Sequence, residues 1–165
     1  MYSPIENLPN SARVWIYQSD RPFSDSEVQE IEKLLQHFVS QWDTHGTPLA
    51  ASFLVPHKHF IVMAADESAT QASGCSIDKS VAVIRTIEQQ FSVQLLNRSK
   101  VAYLQNETVQ LLNVADIKQS VANGIISENT LIFNNLVPTL GLWRSEWLVP
   151  ASQTWTKRFF SESYA

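Results

Sequence analysis

Residues 100–104 read KVAYL, a short alternating run of the kind that forms a half-buried strand. Its assignment decides the fold. Grouped with the residues before it, this run closes a series of strand, helix, strand, strand, helix, strand. Grouped with the residues after it, KVAYL opens a separate subregion of strand, helix and strand. The sequence leaves both readings open.

Upstream, RVWIY (13–17) is β-branched and aromatic, and Pro22 in the adjoining QSDRP forbids extending its ladder. Ser24 with Glu27 three residues on forms a capping box, which starts a helix. Val28, Ile31, Leu34, Leu35, Phe38, Val39 and Trp42 then recur at spacings of three and four, predicting a helix over 25–42 that THGTP stops. LAASFLV (49–55) and HFIVMAA (59–65) flank PHK as a hairpin. Ile77, Val81, Ile84, Ile87 and Phe91 give a second amphipathic helix over 77–91. With KVAYL last, this order is that of a ferredoxin-like βαββαβ sandwich. The expectation is an α+β protein with such a unit over residues 1–99 and a strand-helix-strand subregion with an aromatic tail over 100–165, packed as one body.

In that second part TVQLL is extended and Asn113 with Asp116 is placed to cap VADIKQSVANG, which Gly124 ends. NTLIFNNLV is read as a strand, with Asn134 and Asn135 as buried amides that need partners. Trp143, Trp147, Trp155, Phe159 and Phe160 punctuate the tail. The pattern NVADIKQSVANGIISENTLIF, with SEWLVPA further on, resembles the bacterial GYF-like module over about residues 100–151. That likeness implies a small sheet with one helix. Because related GYF domains bind proline-rich peptides on aromatic surfaces, it nominates Tyr103, Trp143 and Trp147 as partner-binding residues. The Gly-Pro pair of that pattern is absent, and VQLLN stands in its place.

Composition narrows the function classes. A chain of 165 residues, 44% hydrophobic and 17% charged, is long and apolar enough to bury a core. Twelve Lys and Arg against sixteen Asp and Glu give a net charge of -4 without a basic run, so no nucleic-acid partner is expected. There is no basic, apolar leader and no run of about 18 apolar residues, so the expectation is a soluble cytoplasmic protein with no membrane partner. A single cysteine forms no internal disulfide and no multi-thiolate metal site.

ARVWIYQSDRP, ASGCSID, LLNRSKVAY and FNNLV together resemble a group of small bacterial proteins designated ABC transporter ATPases, which implies nucleotide binding. The residues do not supply a P-loop: GCSIDKS has Gly74, Lys79 and Ser80, but it lacks the second glycine and is one residue short. Asp78 would also place a carboxylate where phosphate belongs.

The loop into the second helix carries the candidate ligand site: Asp66, Glu67, Ser73, Gly74, Cys75 and Asp78. Cys75 precedes a helix start, where exposed amides favour a thiolate, and is the candidate nucleophile. Asp66, Glu67 and Asp78 oppose that activation. The preferred reading is structural, with Gly74 in an unusual backbone conformation, Cys75 buried and Ser76 as the cap. His57 and His59, two apart, would share one face of a strand, with His45, Asp43 or Asp20 as a third ligand. Two imidazoles are not a site, so neither metal nor cofactor is expected. The resulting expectation is a non-catalytic interaction or regulatory protein with an unidentified protein partner and a possible homodimer. The alternative is a ligand-binding protein or thiol enzyme centred on residues 73–78.

Overall fold

The capping box forms as read. Ser24 Oγ accepts from the Glu27 amide at 3.2 Å while Glu27 Oε1 accepts from the Ser24 amide at 2.8 Å. From there helix α1 (Asp25–Gln41) runs to within one residue of its expected end. In a computed structural model that describes residues 1–161, the chain is α+β and divides into two units. Unit 1 comprises Met1–Leu96 and Pro138–Arg144, and unit 2 the remainder. The sequence reading divides the chain at residue 100, whereas these contacts also return Pro138–Arg144 to the first unit.

Unit 1 is built on strands β1 (Arg13–Gln18), β4 (Ala50–Leu54) and β5 (Phe60–Asp66) in the antiparallel order β1-β5-β4. Between α1 and β4 stands a small hairpin, β2 (Asp43–Thr44) with β3 (Thr47–Pro48), turning through His45 and Gly46 at positive φ. The central strand β5 is buried on both faces, which is why FIVMAA reads as a continuous apolar run. One face carries Tyr17, Ile61 and Met63 against Ile31, Leu35 and Val39 of α1, Trp42 just past its end, and Ile84, Ile87 and Phe91 of α2 (Gly74–Phe91). Each such side chain contributes about 1.5–3 kcal/mol when withdrawn from water. The other face carries Val14, Val62 and Ala64 under Leu8, Ala12 and Leu140.

KVAYL is not the fourth strand of this sheet. As β6 (Lys100–Gln105) it pairs with β7 (Thr108–Asn113) and β8 (Leu131–Phe133), and β9 (Leu148–Pro150) completes the order β7-β6-β8-β9 in unit 2. Alternation within KVAYL is the same in either sheet, so local pattern does not choose between them. The free edge of β1 is met instead by Pro138 and Thr139: the Val14 amide donates to Pro138 O at 3.1 Å, and Arg13 forms a bridge with Thr139. Helix α4 (Leu140–Glu146) comes next, with the Leu140 amide on Ala12 O and the Gly141 amide on Asn10 O. A Cβ on Gly141 would lie 2.9 Å from Asn10 Cβ. Gly141→Ala is therefore expected to destabilise, since overpacking costs about 1–3 kcal/mol and exceeds a helix-propensity gain of about 1. Urea unfolding checks the sign, and a stabilised variant would contradict this packing.

In unit 2 the β6–β7 turn uses Asn106 and Glu107, both at positive φ, which suits a two-residue hairpin. Val101, Tyr103, Ile132 and Ala151 pack against Ile117 of α3 (Ile117–Ala122) and Phe160 of α5 (Arg158–Ser161). Asn113 caps no backbone amide; its Nδ2 donates to Asp116 Oδ2 at 3.3 Å. Asn134 and Asn135 lie past the end of β8, half-buried rather than inside a strand. Asn134 Oδ1 accepts from the Leu136 amide, and Asn135 Oδ1 accepts from Trp147 Nε1 at 2.9 Å. Among the described residues no helix is long and apolar enough to cross a membrane.

Candidate functional site

The loop into α2 is consumed by its own architecture. Ser73, not Ser76, is the N-cap, its hydroxyl accepting from the Ser76 amide at 3.1 Å, so the helix begins three residues earlier than expected. Gly74 is an ordinary exposed first residue of α2, without positive φ, so no unusual backbone demands glycine there. Ser76, 2% exposed, donates to Asp43 O at 2.6 Å and meets the hydroxyls of Thr44 (2.9 Å) and Ser73 (2.8 Å). This buried hydroxyl group pins the start of α2 to the β2–β3 hairpin.

Cys75 is exposed, against the expectation of burial, and Asp78 is exposed one turn on. Asp66 and Glu67 serve their loop: Asp66 Oδ1 accepts from the Ser68 amide, and Glu67 Oε2 from the Ala72 amide at 2.7 Å. Arg13 lies 4.0 Å from Glu67.

The two histidines do not share a strand face. Pro56–Lys58 forms a 3-10 turn with His57 and Lys58 at positive φ, leaving His57 exposed and His59 buried at 4% exposure. Among the described residues no group of three or more metal-ligating side chains converges. The turn after β1 and the β4–β5 connection do lie at one end of the sheet, as the Ser19 amide on His59 O and the Phe23 amide on Lys58 O attest.

Glu27 and His59 at this end contribute to a pH dependence. Arg21 grips Glu27 with two bonds of 2.9 Å, which with the Ser24 amide lowers the Glu27 carboxyl to about 2 from an ordinary 4.5. Burial lowers the His59 imidazole below 6.5, over the opposing effects of Ser19 and Asp20, and its Nε2 has no partner among the described residues. Both groups bind protons more readily unfolded, so each stabilises the fold above its unfolded pKa and loses that contribution as pH falls. Urea midpoints are expected to drop first below pH 6.5 and again below 4.5. His59→Gln should reduce the first decline, which the imidazole of His57, also lowered by burial, shares, and Glu27→Gln should reduce the second, which the lowered Asp25 and Asp43 carboxyls share; a flat profile from pH 7 to 5 would contradict the His59 assignment.

Tyr103 and Trp147, nominated as binding surface, are core residues of unit 2, with Trp147 packed 4.9 Å from the Phe133 ring. Trp143 is half-buried in unit 1. These three therefore do not form an exposed aromatic surface.

What sequence reasoning missed is a groove of about 340 Å³ between α1 and α2. Leu34 and Phe38 come from α1, Trp42 from the residue that caps it and Val83 from α2, with His37, Gln41 and Thr86 on the rim. Lys79 reaches Asp43 at 3.4 Å and closes one end. Asp43 stays well ionised, held below the usual carboxylate range by the Gly46 amide at 2.8 Å and then by Lys79. The signal was available: Leu34, Phe38 and Val83 widen the apolar stripes beyond what the sheet covers, and each is only half-buried. No protein-family model, curated protein or solved structure matches the chain.

Proposed function

We propose that this protein is a non-catalytic interaction or regulatory module of the cytoplasm, and that the α1–α2 groove is its recognition surface. The observation that carries this reading is the groove's make-up: an apolar floor including Phe38 and Trp42, beside a rim with one base, one acid and an imidazole. Recognition sites combine such apolar area with few, placed polar groups. Trp42 brings rigidity, since its Nε1 is already fixed to Ser76 O at 2.9 Å. An anchor side chain of a protein partner fits this volume, in the manner of an interface hot spot.

The order β1-β5-β4 with α1 and α2 in unit 1 supports the ferredoxin-like reading, in which Pro138 and Thr139 would stand beside β1 in place of a fourth strand. The strand-helix-strand order in unit 2 supports the GYF-like reading of its fold, while the burial of Tyr103 and Trp147 argues against a peptide surface there. The proposed partner surface accordingly moves from these aromatics to the α1–α2 groove of unit 1.

Val83→Glu places a carboxylate on the groove wall. Proteins retained by the immobilised wild type from a lysate of the producing cells should be lost from this variant by about tenfold or more. Matched circular dichroism melts establish that the variant is folded. Equal retention by both proteins would remove the groove from consideration.

A further inference from the structure

We infer that the outer edge of β7 is an interface between two copies of this chain, each pairing its β7 antiparallel to the other about a two-fold axis at Gln110. The site lies in unit 2 and does not depend on the α1–α2 groove of unit 1. β7 ends the order β7-β6-β8-β9, so one side of it has no strand neighbour among the described residues. Other edges are covered or short: Thr139 bridges to β1 and Tyr2 to β4, while β9 spans only Leu148–Pro150 and carries a proline. β7 is six residues, TVQLLN, without the charges or proline that keep an edge from pairing.

The hairpin fixes which groups face that side. Gln105 pairs with Thr108 across the two-residue turn, and such a closing pair exchanges both of its hydrogen bonds. Bonded and non-bonded pairs then alternate, so Tyr103 with Gln110 is bonded, while Leu104 with Val109 and Ala102 with Leu111 are not. Val109 and Leu111 therefore turn their amides and carbonyls outward, and these groups have no hydrogen-bond partner among the described residues.

The occupant is indicated by what a two-fold axis at Gln110 brings together. Val109 of each copy meets Leu111 of the other, so every outward amide and carbonyl of these two residues is paired. On the sheet face away from Ile117, Pro150, Leu131, Leu104 and Val109 form an apolar row across the strands, with Leu131 37% exposed. Leu111 of the other copy extends that row by one strand. The ends are complementary in charge. Glu107 of one copy comes opposite Asn113 of the other, and Lys100 stands beside that Asn113 on β6. Lys100 and the other copy's Glu107 are then two strand spacings apart, about 9.5 Å between Cα atoms and within reach of their side chains. Symmetry makes this pair twice. The ladder is short against a standard interface of roughly 1,600 Å², so the dimer is weak, with a dissociation constant on the order of 100 μM.

Sedimentation equilibrium of the full chain over about 10 μM to 1 mM should fit a monomer and a dimer in exchange. Over the same range amide hydrogen exchange at Val109 and Leu111, read by NMR, should slow by about fivefold, while that of Gln110, already bonded to Tyr103, changes little. Val109→Pro removes an outward donor that β6 does not use and should abolish the dimer, with circular dichroism melts establishing that the variant is folded. Lys100→Glu and Glu107→Lys should each associate more weakly than the wild type and recover when mixed, because the mixed dimer restores both ion pairs. A chain that stays monomeric throughout overturns the inference, as does a dimer that survives Val109→Pro unchanged or a mixture that gains nothing over its components. Val83→Glu should leave the dimer as it is, which separates failure here from failure of the groove.

Discussion

Trp42→Ala is expected to lower the stability of unit 1 by about 3–5 kcal/mol, the range for truncating a large buried aromatic. Trp42 is 1% exposed and stands where three structural requirements meet. Its ring packs on Trp15 edge-on at 5.5 Å and on Phe38 at 5.2 Å, and such aromatic pairs add about 0.5–1.5 kcal/mol beyond burial. Its Nε1 is also the donor that holds Ser76 O, so the side chain joins the end of α1 to the start of α2. Against a total stability of about 5–15 kcal/mol, the loss is a large fraction. Chemical denaturation measures it. Trp42→Phe separates the two contributions, because it keeps much of the packing and loses the hydrogen bond, for an expected cost of about 1–2 kcal/mol. A Trp42→Ala cost below about 1 kcal/mol would mean that the helices are not joined through this residue.

The same residue marks how far the sequence could be read. Ser24 with Glu27, and apolar positions from Ile31 to Trp42, located α1 because cap chemistry and a 3.6-residue period are local properties. Val14 to Tyr17 and Phe60 to Ala65 were legible as strands for the same reason. KVAYL was ambiguous because its own alternation suits either sheet, and the hairpin that joins it to β7 turns through Asn106 and Glu107 without the glycine that marks such turns. No local signal marks Pro138 and Thr139 as neighbours of β1, since that contact spans more than a hundred residues. His57 and His59 were misplaced because a 3-10 turn with two left-handed residues interrupted the assumed strand period. Tyr103 and Trp147 were offered as surface because an aromatic side chain suits a core and an interface alike. At the groove the failure was different: Leu34 and Phe38 stood in a stripe read only as something to bury, and Val83 was left out of the second helix's stripe.

Ser76→Val is the second change expected to act strongly, and it bears on whether the loop into α2 is a site or a joint. Ser76 Oγ donates to Asp43 O and lies within hydrogen-bond distance of the Thr44 and Ser73 hydroxyls, all without access to solvent at Ser76. Valine leaves Asp43 O without that donor and crowds the two hydroxyls, for an expected loss of about 1–3 kcal/mol. A structural joint makes a further demand that a ligand site does not: its members must be coupled. In a double-mutant cycle with Thr44→Val, the second substitution should cost less once Ser76 is gone, giving an interaction energy of about 0.5–3 kcal/mol. Additive costs would mean that the hydroxyls do not act together in holding the hairpin to α2. If the coupling holds, Ser73 and Ser76 are occupied by the fold, and Asp43 is fixed by the same joint that fixes Trp42. The wall of the α1–α2 groove then owes its rigidity to the loop first considered as a ligand site.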